Sequence, residues 1–224
     1  MNNIFKVGFT LAEVLITLAI IGVIASMTLP AIITKTKNAE IVVALKKSYS
    51  ALSQAYYSIS GENGGIQNAL SAVTNGDKFA NVFIQKFRVA KNCGSSNALD
   101  SGCIANTTYK CLGGSDCAID FYSTFLANDN ISYSFLFVDK NCSTNYNQPS
   151  NTSSPLYNTC GMVVVDVNGP NKGPSIWGRD TFKFYITKKG IIPAGAYPDG
   201  SNCLVYGNGE SCAYKVLKED AINY

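Results

Sequence analysis

Cysteines are the first residues in this 224-residue sequence whose type and spacing point to defined chemistry. There are eight of them, none is spaced as C-x-x-C, and the sequence contains no histidine. The zinc-finger and zinc-ribbon patterns are therefore missing, and disulfide bonds formed in an oxidising compartment are the favoured interpretation. The alternative, eight reduced and packed thiols, requires a cytosolic protein. The cysteines are Cys93, Cys103, Cys111, Cys117, Cys142, Cys160, Cys203 and Cys212.

Cysteines that are neighbours in sequence are the expected partners, because closing a short loop costs the least entropy. One expected loop contains the turn sequence Tyr-Gly-Asn-Gly at positions 206–209, and another contains a polar stretch at 148–155. We predict the bonds Cys93 with Cys103, Cys111 with Cys117, Cys142 with Cys160, and Cys203 with Cys212.

A second group of polar residues lies between positions 166 and 180. Asp166 and Asn168 begin a D-x-N-G sequence, as many calcium loops do, and Asp180 follows as a further carboxylate. The segment lacks the spacing and the bidentate Glu of an EF-hand, and D-x-N-G is also ordinary turn sequence. Two interpretations stay open, a calcium site with these three side chains as ligands and a plain turn.

Enzymatic chemistry finds little support in the sequence. The absence of histidine removes Ser-His-Asp and Cys-His catalysis, and there is no G-x-S-x-G, P-loop or G-x-G-x-x-G motif. The net charge of +3 comes from 18 basic and 15 acidic residues spread along the chain, so no nucleic-acid partner is indicated. We expect a protein that is not an enzyme.

The N-terminal segment is long and apolar enough to cross a membrane. Residues 14–34 carry no charge, and as a helix they would extend about 31 Å, the thickness of the hydrocarbon core. Glu13 lies at the start of this run, where a carboxylate is costly in lipid and therefore suggests a function. It also argues against an ordinary signal peptide, and no cysteine follows the run as a lipoprotein signal requires.

The string GFTLAEVL at positions 8–15, after a short leader containing Lys6, closely resembles the class III signal of type IV pilins and pseudopilins. The resemblance implies that residues 1–8 are a leader, cut between Gly8 and Phe9 by a prepilin peptidase that also N-methylates Phe9. It further implies that Gly22 and Pro30 loosen the helix, and for Pro30 a simple kink where the helix leaves the membrane stays open as the alternative. The close match covers about residues 6–35, and the remainder agrees only in general layout.

If cleavage frees a positive amine at Phe9, that amine offers Glu13 a partner. One helical turn separates the two positions, so the carboxylate of one subunit can pair with the amine of a neighbour and set their stagger during assembly.

The resemblance implies a structural subunit of a type IV pilus or a type II secretion pseudopilus, with a minor subunit as a variant of that role. Its partners would be other pilin or pseudopilin subunits, the prepilin peptidase and the inner-membrane assembly platform. The precursor would cross the bacterial inner membrane once, with the globular part outside the cytoplasm, before joining a periplasmic or surface filament. A different function, a filament-carried adhesin, DNA-uptake component or receptor, remains the alternative. Because some pseudopilins hold calcium in a β-region loop, the resemblance also raises calcium as the one candidate cofactor.

The expected fold class is α+β. Apolar residues at helical spacing predict one helix from about Phe9 to Ser58, with a membrane half at 9–34 and an amphipathic half at 35–60. A globular part at 61–224 should begin with a helix over 77–91 capped by Asp77, followed by a disulfide-rich irregular region at 92–130. Alternating residues predict an antiparallel meander over 131–224, packed on the helix. Its strands are expected at 131–138, 162–167 and 182–187, and near Ile191, Val205 and Val216.

Overall fold

The computed structural model describes residue 8 and residues 10–96, 98–117, 122–199 and 203–224. The chain divides into an N-terminal unit, Met1–Ala39, and a second unit, Glu40–Tyr224, which we call the head. Both contain part of the long helix α1, Leu11–Asn63. The predicted helix is therefore confirmed, and it ends in the glycine-rich stretch at 61–65 as the sequence indicated.

Within the head, α1 presents an apolar face at the predicted spacing. Its buried residues recur every three or four positions, and the adjacent Tyr49 stacks on Phe184 of the sheet with 5.8 Å between ring centroids. This periodicity places one stripe of the helix against the core. The buried residues of α1 are Val42, Leu45, Ser48, Leu52, Ala55, Tyr56 and Ile59.

Three shorter helices follow, α2 (Ile66–Leu70), α3 (Gly76–Ile84) and, near the C-terminus, α4 (Ala213–Glu219). The predicted cap of α3 was wrong, because Asn75 accepts the capping bond from the Lys78 backbone N–H at 2.9 Å. Asp77 instead accepts hydrogen bonds from the hydroxyls of Ser123 and Ser95, at 2.6 and 3.0 Å. The helix also ends earlier than position 91, since the chain then enters the sheet.

In the described part of the chain six strands form one antiparallel sheet, in which each strand pairs with the next along the chain, so the predicted meander is confirmed. Residues 92–94 and 123–127 form strands where the sequence predicted irregular structure, and residues 89–91 form a strand where it predicted a helix. Pairing with a neighbouring strand outweighs the local preference in both cases. The expected strands near Val205 and Val216 are absent, as the first residue lies in a turn and the second in α4. The strands are β1 (Val89–Gly94), β2 (Ser123–Ala127), β3 (Ser132–Phe137), β4 (Thr159–Asp166), β5 (Thr181–Thr187) and β6 (Gly190–Pro193).

Aromatic residues join α3 to the sheet. Phe83 stacks on Phe135 with ring centroids 5.0 Å apart, and Phe79 packs edge-on against Phe135 at 6.2 Å. Gly161 of β4 allows this approach, because a Cβ there would lie 2.6 Å from Phe79 Cζ and 2.5 Å from the Leu136 carbonyl oxygen. The core of the head is thus closed on one side by α1 and α3.

All four predicted disulfide bonds are present, and none of the described cysteines is free. Two of them close loops in the second half of the head, with sequence separations of 18 and 9 residues. The bonds join Cys93 to Cys103, Cys111 to Cys117, Cys142 to Cys160 and Cys203 to Cys212.

Candidate functional site

The N-terminal unit holds most of the residues that the sequence singled out. Gly8 is described and exposed, whereas Phe9 lies outside the described residues. Gly22 and Pro30 both lie inside α1, which continues through them. A Cβ at Gly22 would meet nothing within 4 Å. Whether these two residues loosen the helix in an assembly stays a prediction.

Thr10 and Glu13 form a capping box at the start of α1. The Thr10 backbone N–H and hydroxyl each donate to Glu13 Oε2 at 2.8 Å, and the Glu13 N–H donates to Thr10 Oγ1 at 3.3 Å. This reciprocal arrangement satisfies backbone donors that a helix start otherwise leaves open. Glu13 therefore has a local role within one chain. Its second oxygen, Oε1, has no partner among the described residues and can accept a further donor.

The apolar side chains after Glu13 are left uncovered. No residue of α1 before position 40 is buried, and large side chains such as Leu18 and Ile24 expose 61% and 57% of their surface. Among the described residues α1 is the one helix long and apolar enough to cross a membrane. A continuous exposed apolar surface of this kind calls for lipid or another protein around it.

The head brings together the three residues predicted as calcium ligands. Asp166 ends β4 and Asp180 precedes β5, and Asn168 lies in the loop between these strands. The amide Nδ2 of Asn168 donates to Asp180 Oδ2 at 3.1 Å. Gly169 completes the turn with φ 74°, and a Cβ there would lie 1.9 Å from the Asn130 carbonyl oxygen, so the D-x-N-G turn requires glycine.

Both aspartates are almost completely buried and are held by hydrogen bonds. Asp166 accepts from the Tyr109 hydroxyl at 2.9 Å and from the Gly169 N–H at 3.0 Å. Asp180 accepts from the Ser175 N–H at 2.8 Å and from the N–H of Ile176. Each of the four carboxylate oxygens is therefore already engaged by a donor of the protein.

Burial controls the charge of this pair. Removal from water, with the neighbouring Asp180 charge as a second cause, raises the pKa of Asp166 to about 7. Removal from water likewise raises the pKa of Asp180, although its bonds to the Ile176 and Ser175 N–H groups oppose the shift. Two buried carboxyl groups need compensation, and a proton or a metal ion can supply it.

The fit to calcium is poor as the side chains stand. Calcium takes about six to eight oxygen ligands, yet Asn168 turns its amide nitrogen to Asp180. Two buried oxygens of this loop, Asn168 Oδ1 and the hydroxyl of Ser175, have no hydrogen-bond partner in the described part of the chain. No group of three or more His, Cys, Asp or Glu side chains is placed there to hold a metal. The hydrogen bonds favour the turn interpretation, and calcium binding stays the untested alternative.

Sequence reasoning missed the partner of Asp166. Tyr109 lies 57 positions before Asp166, just ahead of the loop that Cys111 and Cys117 close, and its hydroxyl bond forms only when that segment folds against the sheet. No local pattern marks such a long-range contact. The D-x-N-G turn itself, in contrast, was visible because its residues are adjacent.

The residues of the two candidate sites do not converge on a known arrangement of catalytic groups. Comparison of the chain with protein-family models, with curated proteins and with solved structures found no match. The function must therefore be argued from the chain itself.

Proposed function

We propose that this chain is a prepilin-like structural subunit, cut after Gly8 and assembled through α1 into a type IV pilus or a type II secretion pseudopilus. The observation that carries the proposal is the exposed apolar surface of residues 14–34, which directly follows the carboxylate of Glu13. This surface requires partners that the chain itself does not supply. Filament neighbours and lipid would provide them.

The geometry at Glu13 supports a role in assembly. One carboxylate oxygen caps α1 through Thr10, and Oε1 is open to a donor from another chain. A new amine at Phe9 of a neighbouring subunit would be such a donor, and burial among apolar helices would strengthen the pair. A minor, less abundant subunit would use the same contact.

The four disulfides support export of the head. Disulfides persist in oxidising compartments and are rare in the cytosol. A single span with the head outside the cytoplasm accounts for both the bonds and the apolar segment. The partners expected from this placement are other subunits, the prepilin peptidase and the inner-membrane assembly platform.

Mass spectrometry of the mature N-terminus tests processing. We expect N-methylated Phe9 as the first residue, and we expect Gly8→Leu to leave the precursor uncut in the membrane. Gly22→Ala is the matched control, since a Cβ there meets nothing within 4 Å and processing should continue. An intact Met1 in the wild type, a cut near Met27, or normal processing of Gly8→Leu would reject the proposal.

Two substitutions separate the roles of Glu13. Gln can replace Glu in a capping box but carries no charge, so Glu13→Gln keeps the cap and removes the ion pair. Glu13→Val removes both. If pairing drives assembly, both variants insert into the membrane but enter filaments poorly. Normal incorporation of Glu13→Gln would show that Glu13 acts only as a helix cap.

A further inference from the structure

The head contains a groove that the proposed function does not use. Two adjoining concavities of about 530 and 340 Å³ share Tyr197 and Pro198 in their linings. We call them together the Tyr197 groove. Their volumes fall in the range of about 300 to 1,000 Å³ that is usual for small-ligand sites. The larger concavity runs along the loop at 147–154, and the smaller one reaches Tyr214 of α4.

The lining of the groove is polar and almost uncharged. The larger concavity contains amides and hydroxyls, including Asn151 and Ser153, and no Asp, Glu, Lys or Arg among its described lining residues. The smaller one contributes one charge, that of Lys215. The Nδ2 of Asn151 and the hydroxyls of Ser153 and Tyr197 form no hydrogen bond to any described residue, so they are open to a ligand.

Two hydrogen bonds and a disulfide bond hold the walls of the groove together. The Gln148 N–H donates to the Pro198 carbonyl at 2.9 Å and joins the two sides. On one side, Asn145 Nδ2 donates to Ser150 Oγ at 2.8 Å. The Cys142–Cys160 bond anchors the start of that loop to β4. Because these bonds already hold the walls together, binding a ligand costs less conformational entropy.

Tyr197, which both concavities share, indicates the class of ligand. Tyr197 exposes 40% of its surface between the two concavities, so one face of its ring can be covered by a partner. A pyranose ring offers an apolar C–H face for such a contact, and hydroxyl groups around it for amides and hydroxyls. Tyr, Ser and Asn are also enriched in antibody binding loops, where Tyr supplies contact area and Ser and Asn supply hydrogen bonds.

We infer that the Tyr197 groove binds a neutral oligosaccharide. The contact rests on Tyr197 as the stacking platform, with Asn151 and Ser153 as hydrogen-bonding groups. No pair of carboxyl groups is found among the described lining residues, so the inference concerns binding alone. The inference is independent of filament assembly, because none of these residues belongs to α1.

Calorimetric titration of the full-length chain in a sugar-free detergent tests the inference. The probes are maltohexaose, cellohexaose and chitohexaose, with hexagalacturonic acid as the charged comparison. We expect one or more neutral probes to bind, and Tyr197→Ala to weaken that binding about tenfold or more. Tyr206→Ala is the matched control, because Tyr206 is 95% exposed and lies outside both linings, so affinity should stay unchanged.

Ser153→Trp provides a second variant that fills the larger concavity from an exposed position and removes no hydrogen bond of the Ser153 hydroxyl. It should abolish binding while the four disulfides form normally. The inference is overturned if no neutral probe binds the wild type, or if hexagalacturonic acid binds best. It is also overturned if Ser153→Trp binds as the wild type does, or if Tyr206→Ala weakens binding as much as Tyr197→Ala.

Discussion

The two halves of α1 place the same kinds of residue in opposite surroundings. Leu18, in the N-terminal unit, exposes 61% of its surface, whereas Leu52, in the head, exposes none. Both lie in one continuous helix, so helix propensity does not distinguish them. The difference shows that an apolar helix surface is completed inside the chain in the head and must be completed by lipid or other chains in the N-terminal unit.

Substitution of the two leucines tests this contrast and should give the largest effect. Leu52→Ala leaves a cavity beneath the sheet, and we expect it to lower the free energy of unfolding of the head by about 2 to 5 kcal/mol. Leu18→Ala removes the same atoms from an exposed site and should change the free energy of unfolding by less than about 0.5 kcal/mol. Trp177, the single tryptophan, is buried in the head and reports unfolding by urea through its fluorescence. Equal effects of the two changes would refute the contrast.

Removal of a disulfide should loosen the head and spare the N-terminal unit. Replacing Cys142 and Cys160 together by Ala opens a loop of 18 residues, and we expect a loss of about 2 to 4 kcal/mol. The Cys203 and Cys212 pair closes only 9 residues, so its double Ala variant should lose slightly less. Unfolding followed by Trp177 fluorescence measures the first effect, and helix content in detergent should not fall. A loss of helix content as large as the loss of head stability would contradict the separation.

The buried aspartates predict a pH dependence confined to the head. The pKa of Asp166 lies above its ordinary value of 3.8, at about 7, so the folded chain retains a proton that the unfolded chain loses. The resulting stability is complete below about pH 4 and disappears as the pH rises through 7.

Melting of the wild type and Asp166→Asn between about pH 5 and pH 8 measures this contribution. The wild type should lose stability relative to the variant as the pH rises. Asp100→Asn, at an exposed carboxyl, is the control and should follow the wild type. A wild type that gains stability relative to Asp166→Asn over this range would reverse the sign and reject the prediction.

Calcium should have the smallest effect, because donors of the protein already engage the oxygens of Asp166 and Asp180. We expect the melting temperature of the head to be the same in millimolar calcium and in EDTA. A rise in melting temperature with calcium that Asp180→Asn abolishes would instead establish the metal site.

Local patterns predicted the parts of the fold whose contacts are close in sequence. The long helix, the meander and the four disulfides all depend on periodicity or on short loops, and each was confirmed. The strand assignment failed near Val216, which belongs to α4, and the helix cap was assigned to Asp77 instead of Asn75. Val216 is buried against the core from a helix, and Asp77 bonds to Ser95 and Ser123, so contacts distant in sequence occupy both residues.

The candidate sites also differ in whether their residues are close together or far apart in sequence. Thr10 and Glu13 are three residues apart, so their capping box is implicit in the sequence pattern. The Tyr197 groove combines loops that are some fifty positions apart, and no spacing rule could have linked Asn151 to Tyr197.

The sequence alone determined the uncharged helical segment at 14–34, the turn at 166–169 and which cysteines could pair at the lowest cost in loop-closure entropy. These properties depend on hydropathy, backbone preference and loop-closure entropy, which act over short distances. Only the tertiary structure decided that Tyr109 meets Asp166, that both aspartates are buried, and that Tyr197 remains half-exposed. Such contacts form when distant segments pack on the sheet, and their free energy depends on burial and geometry that exist only in the folded chain.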